Sequence, residues 1–208
     1  MFQKILIANR GEIACRIIKT ARRLGIQSVA IYSEADRDAL HVLQADEAVC
    51  VGPAESARSY LNIERIIDAC RQTNAEAVHP GYGFLSENAQ FADIVEAHDI
   101  KWIGPKPEHI RTMGDKVAAK QTAGALGMPL VPGSDGAVET FDEIRAVAAE
   151  CGYPVLVKAA AGGGGRGMKV IAGPDELEAN VSQARAEAKA AFANVGFDRL
   201  MVLGMHLS

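Results

Sequence analysis

Apolar residues in the first hundred positions fall into short blocks, separated by longer stretches in which they recur every third or fourth residue. The blocks at 5–8, 28–32, 77–79 and 101–103 predict strands, because short apolar runs bounded by polar residues or glycine suit buried sheet. Between them, residues 11–24, 63–73 and 89–98 carry a helical period of about 3.6 residues. Ile13, Ile17, Ala21 and Leu24 share one face of the first helix. Strand and helix alternating in this way predict an α/β fold, a Rossmann-like doubly wound parallel sheet.

Pro105 and Pro107 break the alternation, and polar helical segments over 108–126 lead into a second module. The boundary is placed near residue 113. Beyond it the pattern predicts a helix over 140–150, a strand over 153–158, a second strand over 168–171 and a helix running to about residue 193. Pro174 and the acids after it, Asp175 and Glu176, suit the start of that helix. Two strands and two helices make a small α+β lid. The expected organisation is therefore 1–113 for the Rossmann-like domain, 114–193 for the lid-bearing module and 194–208 for a tail of different character.

Composition narrows the function classes. With 208 residues, 49% hydrophobic and 23% charged, the chain can bury a sizeable core. Its 22 Lys+Arg against 26 Asp+Glu give a net charge of −4, without the basic excess that nucleic-acid binding needs. Charges interrupt every apolar run long enough to consider for a membrane, and the N-terminus opens into a strand rather than a signal peptide. Cys15, Cys50, Cys70 and Cys151 show no paired spacing, so the expectation is small buried thiols in a reducing cytoplasm, with neither disulfides nor a zinc site. Affinity for phosphate must then be local.

One segment offers it. Residues 158–169 read Lys-Ala-Ala-Ala-Gly-Gly-Gly-Gly-Arg-Gly-Met-Lys, a glycine run with a cation at each end. Unshielded backbone N–H groups beside mobile positive charge hold polyphosphate. Gly162, Gly164 and Gly167 match the spacing of a dinucleotide fingerprint, but that mechanism needs a helix directly after the glycines, and here a strand follows. A P-loop is excluded too, because Gly167-Met168-Lys169 stands where Gly-Lys-Ser/Thr is required. A flexible cover between antiparallel strands is what fits, as in folds where a glycine loop closes over the phosphates of ATP.

Five segments occur in order: Ile7-Ala8-Asn9-Arg10-Gly11-Glu12-Ile13-Ala14, His79-Pro80-Gly81-Tyr82-Gly83-Phe84-Leu85-Ser86-Glu87-Asn88, Met113-Gly114-Asp115-Lys116, Val131-Pro132-Gly133-Ser134 and the glycine run. Together they closely resemble the biotin carboxylases, the ATP-grasp subunits or domains of biotin-dependent carboxylases, from residue 1 to about 193. The resemblance implies a ligase that carboxylates carrier-bound biotin with bicarbonate, using ATP and Mg2+ through carboxyphosphate. It implies an acyl-CoA carboxylase of acetyl- or propionyl-CoA type, working in fatty acid metabolism in the cytoplasm. Its partners would be a biotin carboxyl carrier protein or domain, a carboxyltransferase subunit and a second copy of the chain. By the same resemblance Lys116 and Lys158 contact the nucleotide. Gly162, Gly163, Gly164, Gly165, Arg166 and Gly167 close over its phosphates, and Met168 lines the adenine pocket. Tyr82 and Gly83 would border the biotin, with Glu87 and Asn88 in supporting polar roles. From the residues themselves, Asn9-Arg10-Gly11-Glu12 and His79-Pro80-Gly81 read as structural turns, His79 as a cap.

The tail departs from the family's pattern. It lacks the Glu-Lys hinge expected after residue 193, and the family's magnesium-binding glutamates and Glu-x-Asn-x-Arg motif do not occur. A truncated or frame-shifted reading of a longer gene would give such a tail. No catalytic or metal-ligating residue is therefore expected within these 208 positions, and the chain alone should turn over little or nothing. Two other classes stay open: another ATP-grasp ligase, against which the segment 79–88 argues, and a non-catalytic interaction module using Arg16, Lys19 and Arg23 on the exposed side of the first helix.

Overall fold

The computed structural model describes residues 1–159, 168–191 and 200–205, less the side chains of Lys116, Ala159, Ala188, Ala190 and Ala191. The chain divides into two compact units, Met1–Arg111 and Thr112–Ser208.

In the first unit, β1 (Lys4–Ile7) leads through α1 (Gly11–Arg23) to β2 (Gln27–Ser33), then through the short α2 (Leu40–Gln44) to β3 (Glu47–Gly52). After α3 (Ile63–Thr73) come β4 (Ala77–His79), α4 (Ala89–Ala97), β5 (Lys101–Trp102) and α5 (Pro107–Gly114). The five strands are parallel in the order β3-β2-β1-β4-β5. The doubly wound sheet expected from the alternation is present, with β3 as an edge strand that the pattern did not predict. Its signal is weak because Glu47, Ala48 and Cys50 are exposed and only Val51 and Gly52 are buried.

Both faces of the sheet are covered, which explains why its central strands read as continuous apolar runs. Ile5 and Ile7 pack with Ala14, Ile17, Ile18 and Ala21 of α1. Leu6, Val29, Ile31 and Val78 pack on the opposite side with Ile66 and Ile67 of α3 and Phe91 and Val95 of α4. Phe91 meets Trp102 edge to face at 5.4 Å, worth about 1 kcal/mol beyond the buried area. Leu24 is not on the buried face as expected. It is 54% exposed because it caps α1 instead of continuing it. Side chains define the helix starts: Asn62 accepts from the Arg65 N–H and Asn88 from the Phe91 N–H. The expectation of four buried thiols also needs correction. Cys70 is buried, which pushes its thiol up to about 12, whereas Cys50 is exposed on the edge strand.

In the second unit, α6 (Lys116–Ala125) and α7 (Phe141–Cys151) precede β6 (Val155–Ala159), β7 (Met168–Ile171), α8 (Leu177–Ala191) and β8 (Leu200–Gly204). Asp115 caps α6 through the Val117 and Ala118 N–H groups, and Thr140 and Glu143 form a reciprocal capping box on α7. Pro174 opens a short 3-10 turn ahead of α8.

The lid holds three antiparallel strands, in the order β7-β6-β8, rather than two. The third comes from the stretch 194–208, which had been set apart from this module. Leu200 and Val202 alternate inward, and both are fully buried with Val155, Val157, Ile171, Ile144 and Leu177. A five-residue strand shows its identity only when a partner edge waits for it, and β6 supplies that edge. The segment 133–138 then runs along the far side of β8. Ser134 donates its N–H to the Val202 carbonyl, and its Oγ accepts from the Val202 N–H. Gly133 is required there: a Cβ would stand 2.1 Å from the Val202 oxygen.

Truncating a fully buried side chain of this strand tests its membership. Leu200→Ala should lower the stability of the second unit by about 2–5 kcal/mol, read as an earlier urea transition and faster exchange of the β6 amides. A tail lying outside the sheet would show neither change.

Candidate functional site

In a sheet of order 3-2-1-4-5, neighbouring connections diverge between β1 and β4, and doubly wound folds bind ligands outside the carboxyl ends of strands at that point. Asn9 follows β1 and His79 ends β4. The Asn9 side chain is 3% exposed, and its amide donates both protons across the gap, to the Pro80 and Tyr82 carbonyls, each at 2.8 Å. Its Oδ1 accepts from the Arg10 N–H at 2.9 Å. Asn9 therefore joins the turn after β1 to the loop after β4. His79 caps that loop, its Nδ1 accepting from the Gly81 N–H at 3.0 Å, and burial holds the imidazole below its ordinary value.

The loop carries the four residues expected on the biotin side, Tyr82 and Gly83 bordering it and Glu87 and Asn88 in supporting polar roles. Tyr82 is 60% exposed, and its hydroxyl donates to Glu12 at 3.0 Å; the bond to that carboxylate raises the phenol above its ordinary value. Gly83 is exposed at φ +68°, with open space where a Cβ would stand. Glu87 is exposed, and Asn88 uses its Oδ1 to cap α4. Tyr82, Gly83 and Glu87 thus lie on one solvent-facing loop, with Asn88 at its base.

A polar cluster that no sequence motif marks lies beside this loop. Asp36, in the 3-10 turn after β2, accepts from Arg10 Nε at 2.6 Å and Nη2 at 2.5 Å, from the Tyr60 hydroxyl at 2.6 Å and from Ser33 Oγ at 3.3 Å. The bidentate guanidinium, followed by the phenol and the serine, holds the carboxyl far below the usual carboxylate range. The same pairing raises Arg10. Tyr60, 2% exposed, accepts from the Ser33 N–H at 2.9 Å and stacks on Phe84 at 5.2 Å with rings 10° apart. Residues 10, 36, 60 and 84 lie 24 or more positions apart, in four different connections, so no local motif announces the cluster.

In the second unit, Lys158 lies opposite Met168 on one side and Met201 on the other. Cross-strand partners share a sheet face, and Leu156, Val170 and Leu203 belong to the same one. The other face carries Val155, Val157, Ile171, Leu200 and Val202 against α7 and α8. Met168 and Val170 remain 42% and 52% exposed. The result is an apolar strip with a lysine on it, and among the described residues Lys158 has no hydrogen-bond or ion-pair partner. Gly162, Gly163, Gly164, Gly165, Arg166 and Gly167 lie outside the described residues. So does the side chain of Lys116, whose backbone opens α6. Two of the late acids are committed elsewhere: Glu178 to Arg145 at 2.8 Å and Glu187 to Lys169 at 2.7 Å. Among the described residues no three His, Cys, Asp or Glu converge on a metal site, and no helix is long and apolar enough to cross a membrane.

Residues 1–110 match the model of the biotin carboxylase N-terminal domain, more than half of the chain. The chain belongs to the biotin carboxylase family. Residues 115–201 match the ATP-binding domain of the carbamoyl-phosphate synthase L chain. The biotin carboxylase of Nostoc sp. is 57% identical over 195 residues, covering 94% of this chain and 44% of its own length. A biotin carboxylase–β-γ-ATP complex from Campylobacter jejuni has a TM-score of 0.90 at 45% identity, covering 100% of this chain and 46% of that one. The biotin carboxylase domain dimer of Hydrogenobacter thermophilus 2-oxoglutarate carboxylase, bound to MgADP, ADP and bicarbonate, has a TM-score of 0.85 at 48% identity, covering 98% and 44%. This biotin carboxylase chain thus spans a little under half the length of these relatives.

The Asp36 cluster makes the family domain sensitive to acid in a defined window. A carboxyl depressed in the folded state contributes stability that is complete above its unfolded value of about 4 and is lost as pH falls through the folded value. Wild type should therefore exceed Asp36→Asn in thermal stability by a constant margin at neutral pH, and the margin should narrow below about pH 4. A margin independent of pH down to the acid transition would contradict this assignment.

Proposed function

We propose that this chain supplies the nucleotide lid and the biotin-side loop of a biotin carboxylase, which carboxylates carrier-bound biotin with bicarbonate and ATP through carboxyphosphate. The observation that carries the reading is the placement of the glycine run. In the sequence it joins β6 to β7, hydrogen-bonded antiparallel strands on whose open face Lys158 and Met168 stand opposite each other. An apolar surface beside an ammonium without a partner among the described residues suits a purine base with its phosphates. Phosphoryl transfer needs positioning and charge neutralisation above all. Lys158 and Lys116 meet the phosphates, the amides of residues 162–167 and Arg166 cover them, and Met168 lies against the base. In the first unit Tyr82 and Gly83 wall the biotin. Glu87 and the Asn88 amide NH2 offer polar contacts.

Mg2+ would neutralise phosphate charge as the transition state forms. Among the described residues nothing fits it, and no residue of this chain is assigned to it. The parent assembly is proposed to be cytoplasmic and of acyl-CoA carboxylase type, with a carrier protein, a carboxyltransferase and a second copy as partners. An apolar groove of about 490 Å³ flanking α1, lined by Phe2, Ile13, Ile17, Leu24 and Ile103, with Arg16 at its edge, supports pairing of copies through this helix.

Lys158→Gln should weaken binding of a non-hydrolysable ATP analogue about tenfold by calorimetry, the loss of one charge-assisted contact; equal affinity would remove Lys158 from the site. Bicarbonate- and biotin-dependent ATP hydrolysis by the 208-residue chain should be absent or slight. Robust turnover would show that the chain carries a complete catalytic set.

A further inference from the structure

We infer that Asp36 and Tyr60 are positioning residues for the biotin-side loop, acting through the stack of Tyr60 on Phe84. This rests on the proposal that Tyr82 and Gly83 border biotin, and it adds residues that touch no substrate themselves. Both ends of the Tyr60 side chain are fixed. Its hydroxyl donates to Asp36 at 2.6 Å and accepts from the Ser33 N–H at 2.9 Å, and its ring is buried in the core of the first unit. Asp36 is itself held by the Arg10 fork. The Tyr60 ring face is therefore an immobile platform extending the sheet's carboxyl edge.

Phe84 lies on that platform, nearly parallel to it, at a backbone φ of +43°. A bulky residue in the left-handed region is strained, and such strain persists where the surroundings over-determine it, most often at functional sites. Glycine or asparagine would make the same turn more easily. Burial accounts for phenylalanine here only in part, since it stays 39% exposed. What the ring achieves is rigidity. With Gly81 and Gly83 on either side of Tyr82 at φ +66° and +68°, the other side-chain restraints on residues 81–84 are the His79 ring at the Gly81 N–H, the Asn9 amide and the Tyr82–Glu12 bond. The Phe84 stack restrains the end of this stretch that Asn9 does not reach. It presents Tyr82 and Gly83 as one preformed wall, sparing a ring-shaped apolar ligand the cost of ordering a loop.

The test uses amide-resolved NMR of the full 208-residue chain, titrated with biocytin as a soluble stand-in for carrier-linked biotin. Wild type should show saturable shifts at Tyr82 and Gly83. Tyr60→Leu should weaken biocytin about tenfold and speed exchange of the Ser86 amide, which donates to the Gly83 carbonyl. Tyr60→Phe keeps the stack and should lose about threefold. Phe84→Leu should match Tyr60→Leu, and the double variant should lose no more than either, because both act through one contact. Should Tyr60→Leu fail to fold, Tyr60→Phe and the surface variant Phe84→Leu decide the matter. Folded variants that bind biocytin as wild type does overturn the positioning role while leaving the biotin wall intact. A wild type whose Tyr82 and Gly83 signals ignore biocytin overturns the wall, and the positioning role with it.

Discussion

One buried amide organises the first unit. Asn9 has two N–H protons, and both cross from the end of β1 to the loop after β4, to carbonyls that no strand pairs. A buried carbonyl without a donor costs about 1–3 kcal/mol, so the loop cannot leave Asn9 cheaply. The contact is close enough to dictate sequence on the other side: a Cβ at Gly81 would stand 2.9 Å from the Asn9 amide nitrogen. Gly81, which makes this loop look flexible in one dimension, is required by its tight attachment in three.

The two units solve related problems in different ways. In the first, helices cover both faces of a parallel sheet, leaving only strand ends to present chemistry, and the polar side chains gather there. In the second, α7 and α8 cover one face of a three-stranded antiparallel sheet, and the other face keeps Lys158, Met168 and Val170 partly in solvent. The function proposed above gives these two surfaces a common purpose, one for a nucleotide and the other for a carrier-borne ring.

Several parts of this architecture were legible from residue order. Local signals are short-ranged: the helix periods and the His79 turn each depend on residues within a few positions of one another. The reading of His79 as a cap agrees with its bond to the Gly81 N–H. The glycine run was recognisable for the same reason, since its meaning comes from the strands on either side. Strands β3 and β8 were not legible. The first is an edge strand with half its side chains in solvent, and the second is a short apolar stretch whose partner edge lies some 40 residues earlier. The Asp36 cluster was hidden most completely, because its four members come from four different connections.

By itself the sequence determined the element types, the parallel class of the first sheet, the family and the segments that bear its motifs. Each of these is encoded in neighbouring residues or in the order of motifs along the chain. Only the tertiary structure decided which groups share a hydrogen bond across those connections. It brought Arg10, Asp36, Tyr60 and Phe84 into one contact set and Leu200 and Val202 into the core of the second unit. The physical reason is that burial and hydrogen bonding depend on distance in space, which residue order fixes only after the strands have paired.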